Sequence, residues 1–530
     1  MWTRGIGAGL GAALLLCLVE DVWACGCVAT TDVVTPTLQA GERILFAVKD
    51  GKVTAHIQIQ YQGAAEEFAW LVPVPGEPEV RVGHDAIFAA LEAETSPTFT
   101  VTRNPAFCGG EASGCSDQDL ASAGTFGGDA GINLPPPVVV RQATAGPYEY
   151  AVLRADDGAE MLGWLNRNGY VVPGGTDEAV APYLRPGAFF LALRLRAGES
   201  AGSIQPIVVE YASDFPMIPI VLTRVAAVND MGILVWVLGR ARAIPRNYHH
   251  VVVDPRGLAW SNPGPSYVQN LRASFDQAPD HHAFVTEFAG SSAPWQGRWQ
   301  APLGTLERPS LSSIDDRDRL LSVLRQKADW ALVAPVLETF FPYPPALAAR
   351  GIDRAAYLDG LDRYVAETPL PETFDATPIV DALYERVVAP LTELDGLFSE
   401  LFYLTRLYTE LSPEEMTEDP VFAFNSQLPT VALNQSATLN ATCEGTTETL
   451  VAGQTYTGDG QMVRAHIEVL REEGAPEIVQ RGEVGAATLT PRGEGCSDAR
   501  GPRALTGSTT AVLLTFAAAW LGRRRRAARA

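Results

Sequence analysis

Two alternating runs joined by Asp50-Gly51 set the strongest limit on how this chain folds. Ile44 to Val48 and Val53 to Tyr61 flank Lys49-Asp50-Gly51-Lys52. An Asp-Gly pair between apolar runs signals a hairpin, because both turn positions need positive φ. In the second run Val53, Ala55, Ile57, Ile59 and Tyr61 share one face, and Thr54, His56, Gln58 and Gln60 the other. This predicts an antiparallel sheet with one buried and one wet face. Phe68 to Val72 reads as a strand that Pro73 and Pro75 confine to an edge or stop. Further strands are expected at Phe99 to Arg103, Tyr150 to Arg154, Phe189 to Arg196, Ile207 to Tyr211, Ile218 to Val225, Ile233 to Leu238, His250 to Asp254 and Phe284 to Phe288.

Helical spacing interrupts this pattern and then replaces it. Asp85 to Glu94 places Ile87, Phe88 and Leu91 on one stripe. Asp156 is expected to cap a helix running to Asn168, with Met161, Leu162 and Leu165 inward and Gly169 at its end. From Leu311 the apolar residues recur at helical spacing over Asp315 to Trp330, Arg354 to Thr368 and Leu391 to Leu411. In the last of these Leu394, Phe398, Leu401, Leu404, Tyr408 and Leu411 form one stripe. The expected fold class is therefore α+β. An antiparallel β-rich domain over 25–300 is followed by a helical region over 301–430 and a small β segment over 431–471. Residues 472–503, rich in Gly, Pro and charge, read as a linker.

The two ends predict where this body folds. Arg4, the apolar run from Ile6 to Val19 and Val22-Trp23-Ala24 form the three parts of a secretory signal peptide over 1–24. Cys25 would then begin the mature chain; Val22 and Trp23 fit poorly with a lipid-modification box at that cysteine. At the other end, 504–530 reads as a transmembrane or sorting tail. Leu505 to Gly522 at about 1.5 Å per residue spans about 27 Å, close to the hydrocarbon thickness of a bilayer. Arg523 to Arg526 and Arg529 keep the terminus cytoplasmic. The expected location is exported and membrane-anchored, in the periplasm or at the cell surface. The net charge of −22 disfavours nucleic acid as a partner. The partners expected are the membrane, through the tail, and an unidentified envelope or surface component.

An oxidising compartment makes disulfides the default for Cys25, Cys27, Cys108, Cys115 and Cys443. Cys108 and Cys115 bracket a Gly/Ser-rich loop and make the most plausible pair. Cys25 and Cys27 would reach Cys443 or that loop. No CxxC pair supports the rival zinc reading.

Several segments resemble a known family: Phe68-Ala69-Trp70-Leu71-Val72-Pro73-Val74-Pro75, the block from Tyr148 to Tyr170, Tyr183-Leu184-Arg185-Pro186-Gly187, and Leu404-Thr405-Arg406-Leu407-Tyr408-Thr409. In this order they resemble domain-of-unknown-function family 2330, a family of exported bacterial proteins, over Ala24 to Asn425. The Cys–helix–arginine tail resembles a myxobacterial sorting signal of the MYXO-CTERM type, which implies retention through Cys496. The resemblance implies no activity, catalytic residue or cofactor.

Gly198-Glu199-Ser200-Ala201-Gly202 fits a nucleophile elbow in letters, but a strand rather than a helix follows it, so a glycine-rich connection explains it. His249, His250, His281 and His282 are the best metal-ligand candidates, with His56 or His84 as additional donors. Against this, histidines adjacent on a strand face opposite ways. Trp295 and Trp299 are expected to clamp a loop onto the core rather than to stack on sugar rings. Asp315, Asp316 and Asp318 read as the negative first turn of a helix. The functional expectation is a non-catalytic binding or structural module with no cofactor; the alternative is a secreted hydrolase or metal-dependent enzyme.

Overall fold

A computed structural model describes residues 30–34, 41–59, 69–106, 138–155, 157–170, 172–196, 204–368, 373–457, 462–463, 465–469, 477–480 and 484–486. Glu42–Lys49 and Lys52–Ile59 pair antiparallel, with Lys49 opposite Lys52. Asp50 (φ 52°) and Gly51 (φ 73°) are both left-handed, the two-residue turn whose twist matches the flanking strands.

This hairpin belongs to a ten-stranded sheet. Across it run Glu477–Gln480, Ala465–Val469, His249–Val253, Ala283–Ser291, Tyr403–Leu411, Met231–Gly239, Glu42–Lys49, Lys52–Ile59, Ile207–Ala212 and Glu79–Val82. The sheet is mixed, which corrects the antiparallel expectation. Met231–Gly239 runs parallel to Glu42–Lys49, and His249–Val253 parallel to Ala283–Ser291. Parallel neighbours need long crossovers, and the chain between Lys49 and Met231 and between Val253 and Ala283 supplies them.

Both faces of this sheet are buried. Ile44, Phe46, Ile233, Val235, Val237 and Leu407 face a four-stranded antiparallel sheet. That sheet has the order Ala69–Val74, Phe189–Leu195, Tyr148–Arg154, Val138–Ala145. Ala69–Val74 is its edge, where Pro73 does no harm to a ladder. Leu45, Leu234, Trp236, Leu238, Leu404 and Tyr408 face a helical layer. The outer side of the small sheet is covered by Gly158–Arg167 and Thr176–Val180. The layers are thus helix, sheet, sheet, helix.

The expected wet face of the hairpin is therefore covered. His56 is 1% exposed, and the helix Ala389–Glu400 lies over it. The polar residues at these positions meet partners on helices: Arg43 pairs with Glu92, Lys49 with Glu400, and Gln58 bonds Asp85. Alternation shows which residues are polar; it does not show whether water or a charged helix faces them.

Three further expectations are corrected. Leu391 to Leu411 is not one helix. The helix ends at Glu400, and Tyr403–Leu411 is a central strand between Ala283–Ser291 and Met231–Gly239. Being buried on both faces, it carries no period of 2 to announce it. Ile218 to Val225 is not a strand: Pro219 precedes the short helix Ile220–Thr223. The cap of Gly158–Arg167 is Asp157, not Asp156; its carboxylate accepts from the amides of Ala159 and Glu160.

Met1–Pro491 groups as one unit, so the helices of 308–400 form a layer on the same sheet that continues after them. A third, five-stranded sheet pairs Thr98–Asn104 with Thr30–Val34 and, in parallel, with Asn434–Ala441. Among the described residues no helix is long and apolar enough to cross a membrane. The signal peptide and tail segments (1–24, 504–530) lie outside the described residues, whereas the expected linker over 472–503 is corrected in part: Glu477–Gln480 is an outer strand of the large sheet and Val484–Ala486 pairs with Met462–Val463.

Candidate functional site

The two facing sheets do not close completely on each other. A cavity of about 310 Å³ remains between Phe46, Ala55, Ile57, Val209 and Tyr211 on the large sheet and Val72 to Pro75 with Phe189 on the small one. Its volume lies at the lower end of the range for small-molecule sites. Tyr183 and Arg185 line it from the loop before Phe189–Leu195, and Phe215, Met217, Asp419 and Val421 line it from two crossing segments.

The crossing segments are held rigidly. Met217 and Val421 form an isolated bridge, and the amide of Phe422 donates to the carbonyl of Pro216 at 2.9 Å. Asn247 clamps the turn twice: its Nδ2 donates to the carbonyl of Asp419 at 2.7 Å, and its Oδ1 accepts from the amide of Val421 at 2.9 Å. The Tyr248 hydroxyl donates to the carbonyl of Glu418 at 2.6 Å.

These bonds fix the Asp419 carboxyl at the cavity. Its Oδ1 accepts from the Tyr183 hydroxyl at 2.8 Å and from the amide of Val221 at 3.0 Å. Burial raises its pKa, against the two hydrogen bonds. Burial also raises that of Tyr183, as does the adjacent carboxylate, so both hydroxyl and hydrogen bond persist at neutral pH. Of the other polar wall groups, the Ser213 hydroxyl is engaged locally, donating to the carbonyl of Phe215.

Residues 21–306 match DUF2330, described as an uncharacterized protein conserved in bacteria, over more than half of the chain. The chain belongs to the DUF2330 family. No curated protein and no solved structure matches it. The DUF2330 match ends at residue 306, short of the Leu404–Thr409 segment that the sequence reading had included. Two segments on which the DUF2330 resemblance rests, 68–75 and 183–187, meet at the cavity through Val72 to Pro75, Tyr183 and Arg185.

The histidines singled out from sequence lie elsewhere. His250 is buried, and its Nε2 faces the Arg242 guanidinium at 2.7 Å and the Thr286 hydroxyl. Arginine can only donate, so this nitrogen must accept, and its lone pair is already used. His281 pairs with Glu415 at 2.9 Å. His282 stacks on Tyr248 with centroids 4.4 Å apart, and its Nε2 donates to the carbonyl of Glu415. His249 is tied to His282 through the backbone, its amide donating to the carbonyl of His282 at 2.7 Å. Among the described residues, no three histidine, cysteine or acidic side chains are grouped to hold a metal. His56 and His84 share the neighbourhood of Glu393, on the helical face of the sheet, away from the cavity.

Other candidates divide clearly. Trp295 and Trp299 are buried and pack edge-on against Phe398, so they clamp the loop onto the core. Asp316 caps Arg317–Lys327 by accepting from the amide of Arg319. Gly198 to Gly202, Cys25, Cys27, Cys108, Cys115 and Cys496 lie outside the described residues. Cys443 sits in the turn after Asn434–Ala441, and no cysteine pair lies wholly within the described residues.

Sequence reasoning missed Asp419 altogether. It stands in an ordinary acidic stretch, Glu414-Glu415-Met416-Thr417-Glu418-Asp419-Pro420. Nothing local distinguishes it from its neighbours, because Tyr183 and Val221, which orient it, are about 200 residues away.

Proposed function

We propose that this protein is an exported, envelope- or surface-anchored binding module that holds a small apolar ligand between its two packed sheets. The cavity carries the reading. Its walls are mainly aliphatic and aromatic, and its frame is hydrogen-bonded on every side described above. One oriented carboxyl supplies the polar contact that such sites use for specificity. The export and anchoring part rests on the residue pattern at the two ends: a charged start, an apolar run and a small-residue site at the front, and an apolar stretch followed by arginines at the back.

Saturation-transfer NMR on the full-length protein with indole as a neutral aromatic probe tests the binding reading. Magnetisation should pass to indole in the wild type. Ala55→Leu, which adds three carbons to the cavity wall, should abolish the transfer while the protein remains folded. Transfer unchanged by Ala55→Leu would place any binding outside the cavity and remove this reading.

A further inference from the structure

We propose that the cavity selects a small organic cation, an apolar or aromatic body bearing one ammonium group, with Asp419 as its counter-ion. This rests on the reading of the cavity as a ligand site and adds the ligand's class.

The argument starts from the unused half of the carboxyl. Among the described residues Oδ1 of Asp419 takes both hydrogen bonds, from Tyr183 and Val221, and Oδ2 takes none. A carboxylate drawn into an apolar wall normally has a cation beside it, because an unpaired buried charge is costly. Among the described residues Asp419 has none within ion-pairing distance. The charge that acts on it is Glu418, of the same sign. Arg185 lines the same cavity from an exposed loop position, yet forms no ion pair with Asp419. The half-buried carboxyl is thus oriented but uncompensated.

The walls complete the match. Phe46, Tyr183, Phe189, Tyr211 and Phe215 all contribute to the lining. Aromatic faces attract an ammonium group and also accept the apolar body behind it. A neutral ligand would gain the walls but leave the carboxyl without its partner. An anionic ligand would be brought beside Asp419 and repelled. The acidic character of the whole chain, −22, further concentrates cations around it.

Calorimetry on the full-length protein with three probes of one shape decides the matter: 2-phenylethylammonium, 2-phenylethanol and phenylacetate. The ammonium probe should bind about tenfold or more tighter than the alcohol, the usual range for a hydrogen bond to a charged group. Asp419→Asn, which keeps an oxygen for Tyr183 and Val221, should remove that preference and leave the alcohol's affinity unchanged. Equal binding of ammonium and alcohol would overturn the cation proposal while the cavity reading stands. A preference that survives Asp419→Asn would overturn the role of Asp419, and tightest binding of phenylacetate would transfer specificity to Arg185. Binding of none of the three would sink both readings. Should Asp419→Asn fail to fold, the order of the three probes on the wild type decides alone.

Discussion

His56 and Glu42 are buried ionisable side chains on neighbouring strands, and they face opposite layers. His56 points to the helical layer, where Glu393, Arg81, Glu210 and His84 surround it, and burial pulls its pKa down to about 4. The unfolded chain, with an ordinary value of 6.5, binds more protons between those two pH values, so stability falls as pH drops from 6.5 to 4. Glu42 points to the inter-sheet core, and burial raises its pKa to about 7. The folded state then holds the extra proton, so stability falls as pH rises from 4.5 to 7. Each effect amounts to at most about 3 kcal/mol, and the two oppose each other over most of their range. Urea denaturation from pH 4 to 8 should therefore give a nearly flat wild-type profile in the overlap. His56→Gln should show stability decreasing with pH, and Glu42→Gln stability increasing with pH. Parallel profiles for the two variants would refute this assignment. At this scale the acidic helix start around Asp316 was legible, since its cap needs only the amide three residues on. The protonation of His56 was not, because a helix more than 300 residues away buries it.

The strand Tyr403–Leu411 shows what an element's own residues leave open. Its Leu404 and Tyr408 fit a helical stripe, but Thr405, Tyr408 and Thr409 favour a pleated surface. Pairing with strands on both sides decides the outcome. Arg406 is carried into the core by this strand at 2% exposure, and its Nε donates to Glu287 at 2.7 Å on the neighbouring strand. The Tyr267 hydroxyl donates to the same carboxylate, Arg406 also donates to Thr95, and the guanidinium lies 5.3 Å from the Trp236 ring centre. Such a pair is expensive to break and cheap to replace whole. Arg406→Met alone should destabilise by about 3–5 kcal/mol. Adding Glu287→Leu should recover part of the loss, because the stranded carboxylate disappears. A double variant as unstable as the sum of the two single ones would show that the pair does not act as a unit.

For the whole molecule, the layered body and the tail make separate contributions. The four layers bury the large sheet on both sides, and among the described residues no helix is long and apolar enough to cross a bilayer. On the proposed reading, retention at the membrane belongs to the C-terminal tail. Truncation after Arg503 should move the protein from the membrane or surface fraction to the soluble exported fraction with its body intact. Cys496→Ala separates two anchoring modes: a plain helical anchor is indifferent to it, whereas retention through the cysteine is lost. A truncated protein that still sediments with membranes would require an attachment site on the body.

By itself, the sequence determined the local features: the Asp50-Gly51 hairpin, the edge character of Ala69–Val74, the acidic helix start around Asp316, the buried tryptophans and the family. Each depends on residues within a few positions of one another, or on a pattern that survives along the chain. Tertiary structure alone decided the parallel pairings, the covering of the hairpin's polar face and the strand at Tyr403–Leu411. It also decided the cavity with its carboxyl. These depend on which distant segment arrives next to which. Asp419 becomes a site only because Tyr183, Val221 and Asn247 meet it in space, and no spacing along the chain encodes that meeting.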